Sequence, residues 1–140
     1  MDEIIGLIPS RLGSKRLPGK ALAMISEMPV IAHVAKRAKL SKLLAKVVVC
    51  TDSEEIAKVC TQYDIDFALT ESSYRNGTER IASVVNNYDC QYVIDIQGDE
   101  PLVNPLHIDY VAENISKNCR NEEIIIPTLE VPYGVPETIV

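Results

Sequence analysis

The sequence predicts an α/β fold built on a mainly parallel, mixed sheet with helices on both faces. Short apolar runs, typical of buried strands, alternate along the chain with segments that carry apolar residues at helical spacing. Polar segments rich in charged and small residues directly follow three of these runs, where ligands of parallel α/β sheets bind. The 140 residues, 46% of them apolar and 24% charged, are enough for one such domain with a sizeable core.

Five short apolar runs are the predicted strands. The first ends at Pro9, and the third is the weakest. Continuous apolar runs bounded by polar residues are typical of strands that a parallel sheet buries on both faces. The strands are predicted at residues 4–8, 47–50, 67–69, 92–96 and 124–126.

Four helices are predicted between and after these strands. Pro29 can open the first, because proline is tolerated in the first helical turn. Ser53 and Asn76 are predicted N-caps, Glu79 can complete a capping box with Asn76, and Asn104 starts the fourth helix. The residues predicted to face the core are Ile31, Val34, Ala35 and Ala38; Ile56, Val59 and Cys60; Ile81, Val84, Val85 and Tyr88; and Ile108, Val111, Ala112 and Ile115.

Composition excludes or disfavours several functional classes. No run approaches 18 apolar residues, which excludes a transmembrane helix, and the start of the chain lacks the basic region and cleavage site of a secretory signal. The four cysteines show no C-x-x-C spacing, so a zinc or thioredoxin-type site is poorly supported. Four free thiols fit a reducing compartment, and the net charge of −6 argues against nucleic acid as a partner. We therefore predict a cytoplasmic protein without membrane insertion.

The charge is divided unevenly along the chain. Residues 1–46 hold nine Lys and Arg against three Asp and Glu, whereas residues 47–140 hold five against seventeen. A basic section can hold phosphates, and a carboxylate-rich section can hold a divalent cation.

The segment after the first predicted strand, residues 9–20, is equipped to bind phosphate. It holds four cations, two hydroxyls and two glycines that let the backbone approach a ligand closely. Backbone N–H groups in such a loop form an anion nest, so a triphosphate fits. It is not a P-loop, because Gly13 and Gly19 are one residue too far apart and Ala21 replaces the hydroxyl, and it lacks the dinucleotide glycine pattern. An ordinary basic surface loop is the alternative.

Two further segments carry candidate ligand-binding residues. Residues 97–101, which include Asp99, directly follow the fourth predicted strand, where a carboxylate can hold Mg²⁺ together with substrate phosphates. A plain acidic turn is the alternative. Arg80 lies in the first turn of a predicted helix, where the helix dipole disfavours a cation, and this hints at a ligand. The alternative is a surface pair between Arg80 and a neighbouring Glu.

Together these segments resemble the 3-deoxy-manno-octulosonate (Kdo) cytidylyltransferases, also called CMP-Kdo synthetases. The match keeps its order and spacing over about the first 115 residues. The related sialic-acid cytidylyltransferases usually carry a Gly-Gly in the first loop and lack the last segment. The matching segments are Ile-Pro-Ser-Arg-Leu-Gly-Ser-Lys-Arg-Leu-Pro-Gly-Lys at 8–20, Thr-Asp at 51–52, Gly-Thr-Glu-Arg at 77–80 and Gln-Gly-Asp-Glu-Pro at 97–101.

The resemblance implies a nucleotide-diphospho-sugar transferase-like, Rossmann-type fold and a reaction. CMP would pass from CTP to Kdo, giving CMP-Kdo and pyrophosphate for lipopolysaccharide synthesis, with Mg²⁺ as cofactor. It implies that Arg11, Lys20 and Asp99 are catalytic and that Asp99 binds the metal. It further implies that the nucleotide is bound by Pro9, Ser10, Arg11, Ser14, Arg16, Lys20, Arg80 and Gln97.

The sequence departs from the family pattern at several positions. Ser10 stands where alanine is frequent, Arg75-Asn76 where Gln-Ser is common, and Asp95 where asparagine is common. Asp95 could add a carboxylate near the metal or pair with a cation. Family members also continue beyond this length, so residues 1–140 are predicted to be the CTP-binding portion of a truncated domain. The sugar-binding and dimerisation portion would be absent, and the full-length form is implied to be a homodimer.

Two alternatives stay open at this point. The acceptor could be another ulosonic acid, such as sialic acid. The 140-residue chain could instead be a nucleotide-binding fragment, or a remnant that serves as an interaction module, in either case without turnover.

Overall fold

The computed structural model describes residues 3–13, 19–74 and 76–118. Its strands, in chain order, are β1 (Ile4–Ser10), β2 (Met24–Ile25), β3 (Met28–Pro29), β4 (Lys46–Thr51), β5 (Asp66–Leu69) and β6 (Tyr92–Asp95). Its α-helices are α1 (Val30–Ala38), α2 (Glu54–Gln62), α3 (Gly77–Ala82) and α4 (Pro105–Asn118).

Four strands form a parallel sheet in the order β5-β4-β1-β6. The short β2–β3 hairpin supplies the antiparallel pairing found in the described residues. The helices lie on both faces of the sheet: α1, α2 and α4 cover one, and α3 covers the other. The predicted fold class is therefore confirmed.

Residues of β1 alternate between the two faces, as the pleat of a strand requires. Ile4 and Ile8 pack with α1, α2 and α4, whereas Ile5 and Leu7 pack with Ile81 of α3. Both faces are therefore apolar, which is why the first strand reads as an unbroken apolar run.

Three helix caps are present: Ser53 and Asn76, which were predicted as caps, and Asn104, which was predicted to start the fourth helix. Each polar side chain accepts a hydrogen bond from a backbone N–H of the first turn, which would otherwise lack a partner. The bonds run from Ile56 N to Ser53 Oγ (3.2 Å), from Glu79 N to Asn76 Oδ1 (2.9 Å) and from Leu106 N to Asn104 Oδ1 (2.9 Å).

Several boundaries differ from the sequence-based expectation. β1 continues through Pro9 to Ser10, and Pro29 ends β3 and caps α1 instead of lying inside its first turn. The helix expected to reach Tyr88 ends at Ala82 and is followed by a 3₁₀ turn at Val85–Asn87. The β2–β3 hairpin was not predicted, and the strand expected at 124–126 lies outside the described residues.

The strand order sets where a ligand can bind. From β1 the chain moves outward to β4 and β5, then returns to place β6 on the other side of β1. In open α/β sheets this reversal opens a crevice at the carboxyl ends of the two flanking strands. Among the described residues, no helix has the length and apolar character needed to cross a bilayer.

Candidate functional site

The three segments predicted to carry chemistry meet around Pro9, at the carboxyl end of β1. A Cβ placed on Gly98 would lie 2.8 Å from the Pro9 carbonyl oxygen, and one placed on Gly77 would lie 2.8 Å from Pro9 Cγ. Only glycine lets both chains approach this closely. The fold thus brings the start of segment 9–20, the start of α3 and segment 97–101 to one edge of the sheet.

A turn closes the loop that follows β1. Gly19 N donates to the Leu12 carbonyl at 2.9 Å, and Gly19 adopts φ 76°, a left-handed conformation that favours glycine. Lys20 begins a short 3₁₀ turn whose next residue, Ala21, is buried against α1. This packing fixes the direction from which the Lys20 side chain approaches the edge of the sheet.

Lys20 and Asp99 join the first and third segments. Lys20 Nζ lies 3.7 Å from Asp99 Oδ2, and the two side chains are 40% and 59% exposed. A pair this exposed contributes little to stability, so both groups remain available to a ligand. A cation beside a carboxylate suits a ligand that carries phosphate and is accompanied by a divalent cation.

The segment that carries Asp99 is anchored from outside the site. Arg37 of α1 donates from Nε to the Val103 carbonyl at 2.8 Å, and Val103 N donates to the Glu100 carbonyl at 3.1 Å. No local sequence pattern indicates this contact, because Val103 lies 66 residues further along the chain. The structure shows Arg37 tied to this turn.

The remaining predicted site residues occupy different environments. Ser10 ends β1 and is buried, whereas Arg11 is exposed and Gln97 follows β6 on the surface. Ser14 and Arg16 lie outside the described residues, as does Arg75. Their predicted roles therefore rest on the sequence.

Asp95 lies apart from the Lys20–Asp99 pair. Val93, two residues earlier in β6, packs on the face of the sheet that α3 covers. Alternate residues of a strand share a face, so Asp95 lies on the α3 face as well. Gln97 Nε2 donates weakly to Asp95 Oδ1 at 3.5 Å, and burial raises the pKa of Asp95 above its usual value. No cation within the described ranges forms an ion pair with it.

Arg80 is buried rather than surface-paired. It is 3% exposed, and its guanidinium reaches Asp52 at the end of β4 and Thr70 after β5. Nearby, burial raises the pKa of the Cys50 thiol to about 12, an effect that the Arg80 charge partly opposes, so Cys50 is a neutral core residue at pH 7. The sequence singled out Arg80 by its place on the helix but gave no indication of Asp52 or Thr70 as its partners.

A family model described as cytidylyltransferase matches residues 5–137. The chain belongs to the cytidylyltransferase family. The curated relatives include 3-deoxy-manno-octulosonate cytidylyltransferases from three bacteria. The Histophilus somni protein is 43% identical to this chain over 79% of this chain and 44% of its own length. The Polynucleobacter necessarius protein is 41% identical over 93% of this chain and 51% of its own length. The Yersinia enterocolitica protein is 40% identical over 95% of this chain and 52% of its own length. The resemblance inferred from the motifs is confirmed, and this cytidylyltransferase chain spans about half the length of the curated relatives it matches.

Solved structures agree with this assignment to the cytidylyltransferases. A CMP:2-keto-3-deoxy-manno-octonic acid synthetase complexed with CTP superposes with a TM-score of 0.81 at 30% identity, over 83% of this chain and 48% of that one. A 4-diphosphocytidyl-2C-methyl-D-erythritol synthase gives a TM-score of 0.67 at 17% identity, over 84% of this chain and 56% of that one. The second likeness shows a shared fold only.

Proposed function

We propose that this chain forms the CTP-binding part of an enzyme that transfers CMP from CTP to Kdo. The anomeric hydroxyl oxygen of the sugar would bond to the α-phosphorus of CTP while the bond from that phosphorus to the pyrophosphate oxygen breaks. The hydroxyl proton would pass to solvent, and the products would be CMP-Kdo and pyrophosphate. The observation that carries this proposal is the meeting of the basic loop, the start of α3 and segment 97–101 around Pro9.

Charge and position assign the roles of the individual residues. Nucleotidyl transfer depends on neutralising phosphate charge and on holding the reacting atoms in line, so cations at the mouth of the crevice are its main requirement. Arg11 is exposed beside the end of β1, and Lys20 approaches from the side of α1. We assign both to the triphosphate, and Pro9, Ser10 and Gln97 to the floor beneath the nucleotide.

Asp99 is the proposed magnesium ligand. The described residues hold no cluster of three or more His, Cys, Asp or Glu that could bind a metal alone. Mg²⁺ commonly takes one or two carboxylates and completes its shell with substrate phosphates and water. Exposed Asp99, 3.7 Å from a phosphate-binding cation, fits this arrangement. When bound, the ion would neutralise charge on the phosphates.

Calorimetry with the 140-residue chain tests the proposal. We expect CTP to bind in the presence of Mg²⁺, Lys20→Ala to abolish binding, and Asp99→Ala to weaken it chiefly when Mg²⁺ is present. Lys58→Ala, on the outer side of α2, is the matched lysine control and should bind as the parent does. A folded parent chain that releases no heat with CTP and Mg²⁺ would refute the proposal.

The acceptor and the setting of the reaction belong to the same proposal. Kdo is favoured because the curated relatives carry that substrate in their names, and its use would place the enzyme in lipopolysaccharide synthesis. Pyrophosphate release measured with Kdo and with sialic acid, on the chain and on a full-length protein, separates the sugars and tests turnover by the chain alone.

A cytoplasmic location agrees with the free thiols of Cys50, Cys60 and Cys90. The proposed homodimer of the full-length form is tested by sedimentation.

A further inference from the structure

Arg80 is the one charged side chain that is almost fully buried among the residues whose burial the structure describes, at 3% exposure. Burying an ionised group is costly unless partners within the protein replace water. A charge kept in such a place therefore has to be compensated by specific neighbours.

The neighbours of Arg80 come from two separate stretches of chain, the end of β4 and residues 70–74. Its Nη2 lies 3.9 Å from Asp52 Oδ2, and its Nη1 donates to Thr70 Oγ1 at 2.5 Å and to the Glu71 carbonyl at 3.0 Å. The guanidinium carbon also lies 5.9 Å from the centre of the Tyr74 ring. One side chain thus connects α3 to the end of β4 and to residues 70–74, the segment that follows β5.

These contacts lie at the same edge of the sheet as the proposed CTP site, but toward the face of the sheet that α3 covers. The backbone reinforces them, because Thr70 N donates to the Thr51 carbonyl at 2.8 Å. α3 covers one face of the sheet, whereas Lys20 approaches from the face of α1. Since Lys20 and Asp99 suit the phosphates, the α3 side is left for the nucleoside.

We propose that Arg80 is a positioning residue for the nucleoside end of this site: it holds segment 70–74 against the end of β4 without contacting the nucleotide. The proposal rests on the proposed function for the nature of the ligand. The guanidinium exposes almost no surface and is already engaged by a carboxylate, a hydroxyl and a carbonyl. A nucleotide could bind it only by displacing these partners.

Binding measurements with two ligands test this role. Arg80→Lys keeps the charge but loses the planar fork that reaches three partners. We expect this variant to lower the affinity for CTP about tenfold and to leave the affinity for inorganic tripolyphosphate within about twofold. Lys20→Ala should lower both affinities. Equal losses for CTP and tripolyphosphate in Arg80→Lys would indicate a phosphate contact and overturn the proposal.

Hydrogen exchange without any ligand provides the second measurement. We expect the amides of residues 70–74 to exchange at least about tenfold faster in Arg80→Lys and Asp52→Asn than in the parent. Arg37→Lys, the same change at an arginine bonded to Val103, is the control and should leave these amides unchanged. Unchanged exchange in Arg80→Lys would also overturn the proposal.

A milder variant covers the case in which Arg80→Lys does not fold. Thr70→Val removes one acceptor and keeps both Arg80 and Asp52. This variant should give smaller changes in the same directions. If both measurements are unchanged in Thr70→Val, the result contradicts the proposal. If the folded parent binds tripolyphosphate but not CTP, the proposed function and the nucleoside part of this inference both fail. The exchange comparison still decides whether Arg80 holds segment 70–74.

Discussion

Replacing Gly98 by alanine should force apart two chain segments at the floor of the site. The added Cβ would lie 2.8 Å from the Pro9 carbonyl oxygen, about 0.6 Å closer than ordinary van der Waals contact allows. The clashing atom belongs to the backbone, so no side-chain rotation relieves it. Overpacking of this kind costs about 1–3 kcal/mol. For a chain of this size we expect the unfolding temperature to fall by about 3–10 °C.

The same substitution should weaken nucleotide binding, because Gln97 and Asp99 flank Gly98 and move with it. We expect the affinity for CTP in the presence of Mg²⁺ to fall about tenfold, measured by calorimetry below the unfolding temperature of the variant. Thermal unfolding followed by circular dichroism gives the stability change. Gly13→Ala is the control for stability, since a Cβ there meets no atom within 4 Å.

An unchanged unfolding temperature would refute the reasoning. If Gly98→Ala unfolds within about 1 °C of the parent, the close approach of segment 97–101 to β1 contributes nothing measurable to the fold. A destabilised variant that binds CTP as tightly as the parent would refute the second step alone, because the turn would then move without disturbing the site.

Three further predictions concern single contacts. Glu27→Gly should raise the unfolding temperature, because Glu27 has φ 69° in the β2–β3 turn, a conformation that costs a non-glycine residue about 1 kcal/mol; Glu55→Gly in α2 should lower it. Ser53→Ala should lower the free energy of unfolding in urea by about 1 kcal/mol through loss of the α2 cap. Burial alone would raise the pKa of Asp109, but hydrogen bonds from Ser41 and from the backbone N–H groups of residues 42 and 43 hold it below the usual 3.8. The stabilisation of the fold by the Asp109 carboxylate is therefore complete above pH 3.8 and is lost as the pH falls through the lowered pKa. In an acid titration, Asp109→Asn should lose less free energy of unfolding than the parent chain.

The elements of the fold that could be predicted are those whose signals are local. Apolar runs marked β1, β4 and β6, and the polar residue before each of three helices identified its start. The end of α3 was not predictable in this way. Val84 keeps its place in the core, as its spacing indicated, but it lies after the end of α3 and directly before the 3₁₀ turn instead of within a continued helix. The turn of the β2–β3 hairpin, Ser26-Glu27, lacks the glycine or asparagine that usually indicates such a turn.

In the candidate site, too, residues with a local sequence signal were predictable and contacts between distant residues were not. Loop composition and strand ends located Lys20 and Asp99, since each signal is contained in about ten consecutive residues. The partners of Arg80 lie 10 and 28 positions earlier in the chain, and no periodicity links them. Packing around a buried charge depends on the tertiary arrangement, so it became visible only once the strands were placed side by side.

The central position of β1 has a consequence for how the chain folds. Leu7 lies opposite Val48 on one side and Asp95 on the other, partners that are 41 and 88 residues away along the chain. Contacts of long sequence separation tend to form late, because closing a long loop costs entropy first. We therefore expect β1, α1 and β4 to assemble as the early unit and β6 to dock afterwards. The contact between Pro9 and Gly98 exists only after β6 has docked. A nucleotide bound to both the end of β1 and segment 97–101 would therefore favour the completed sheet by mass action.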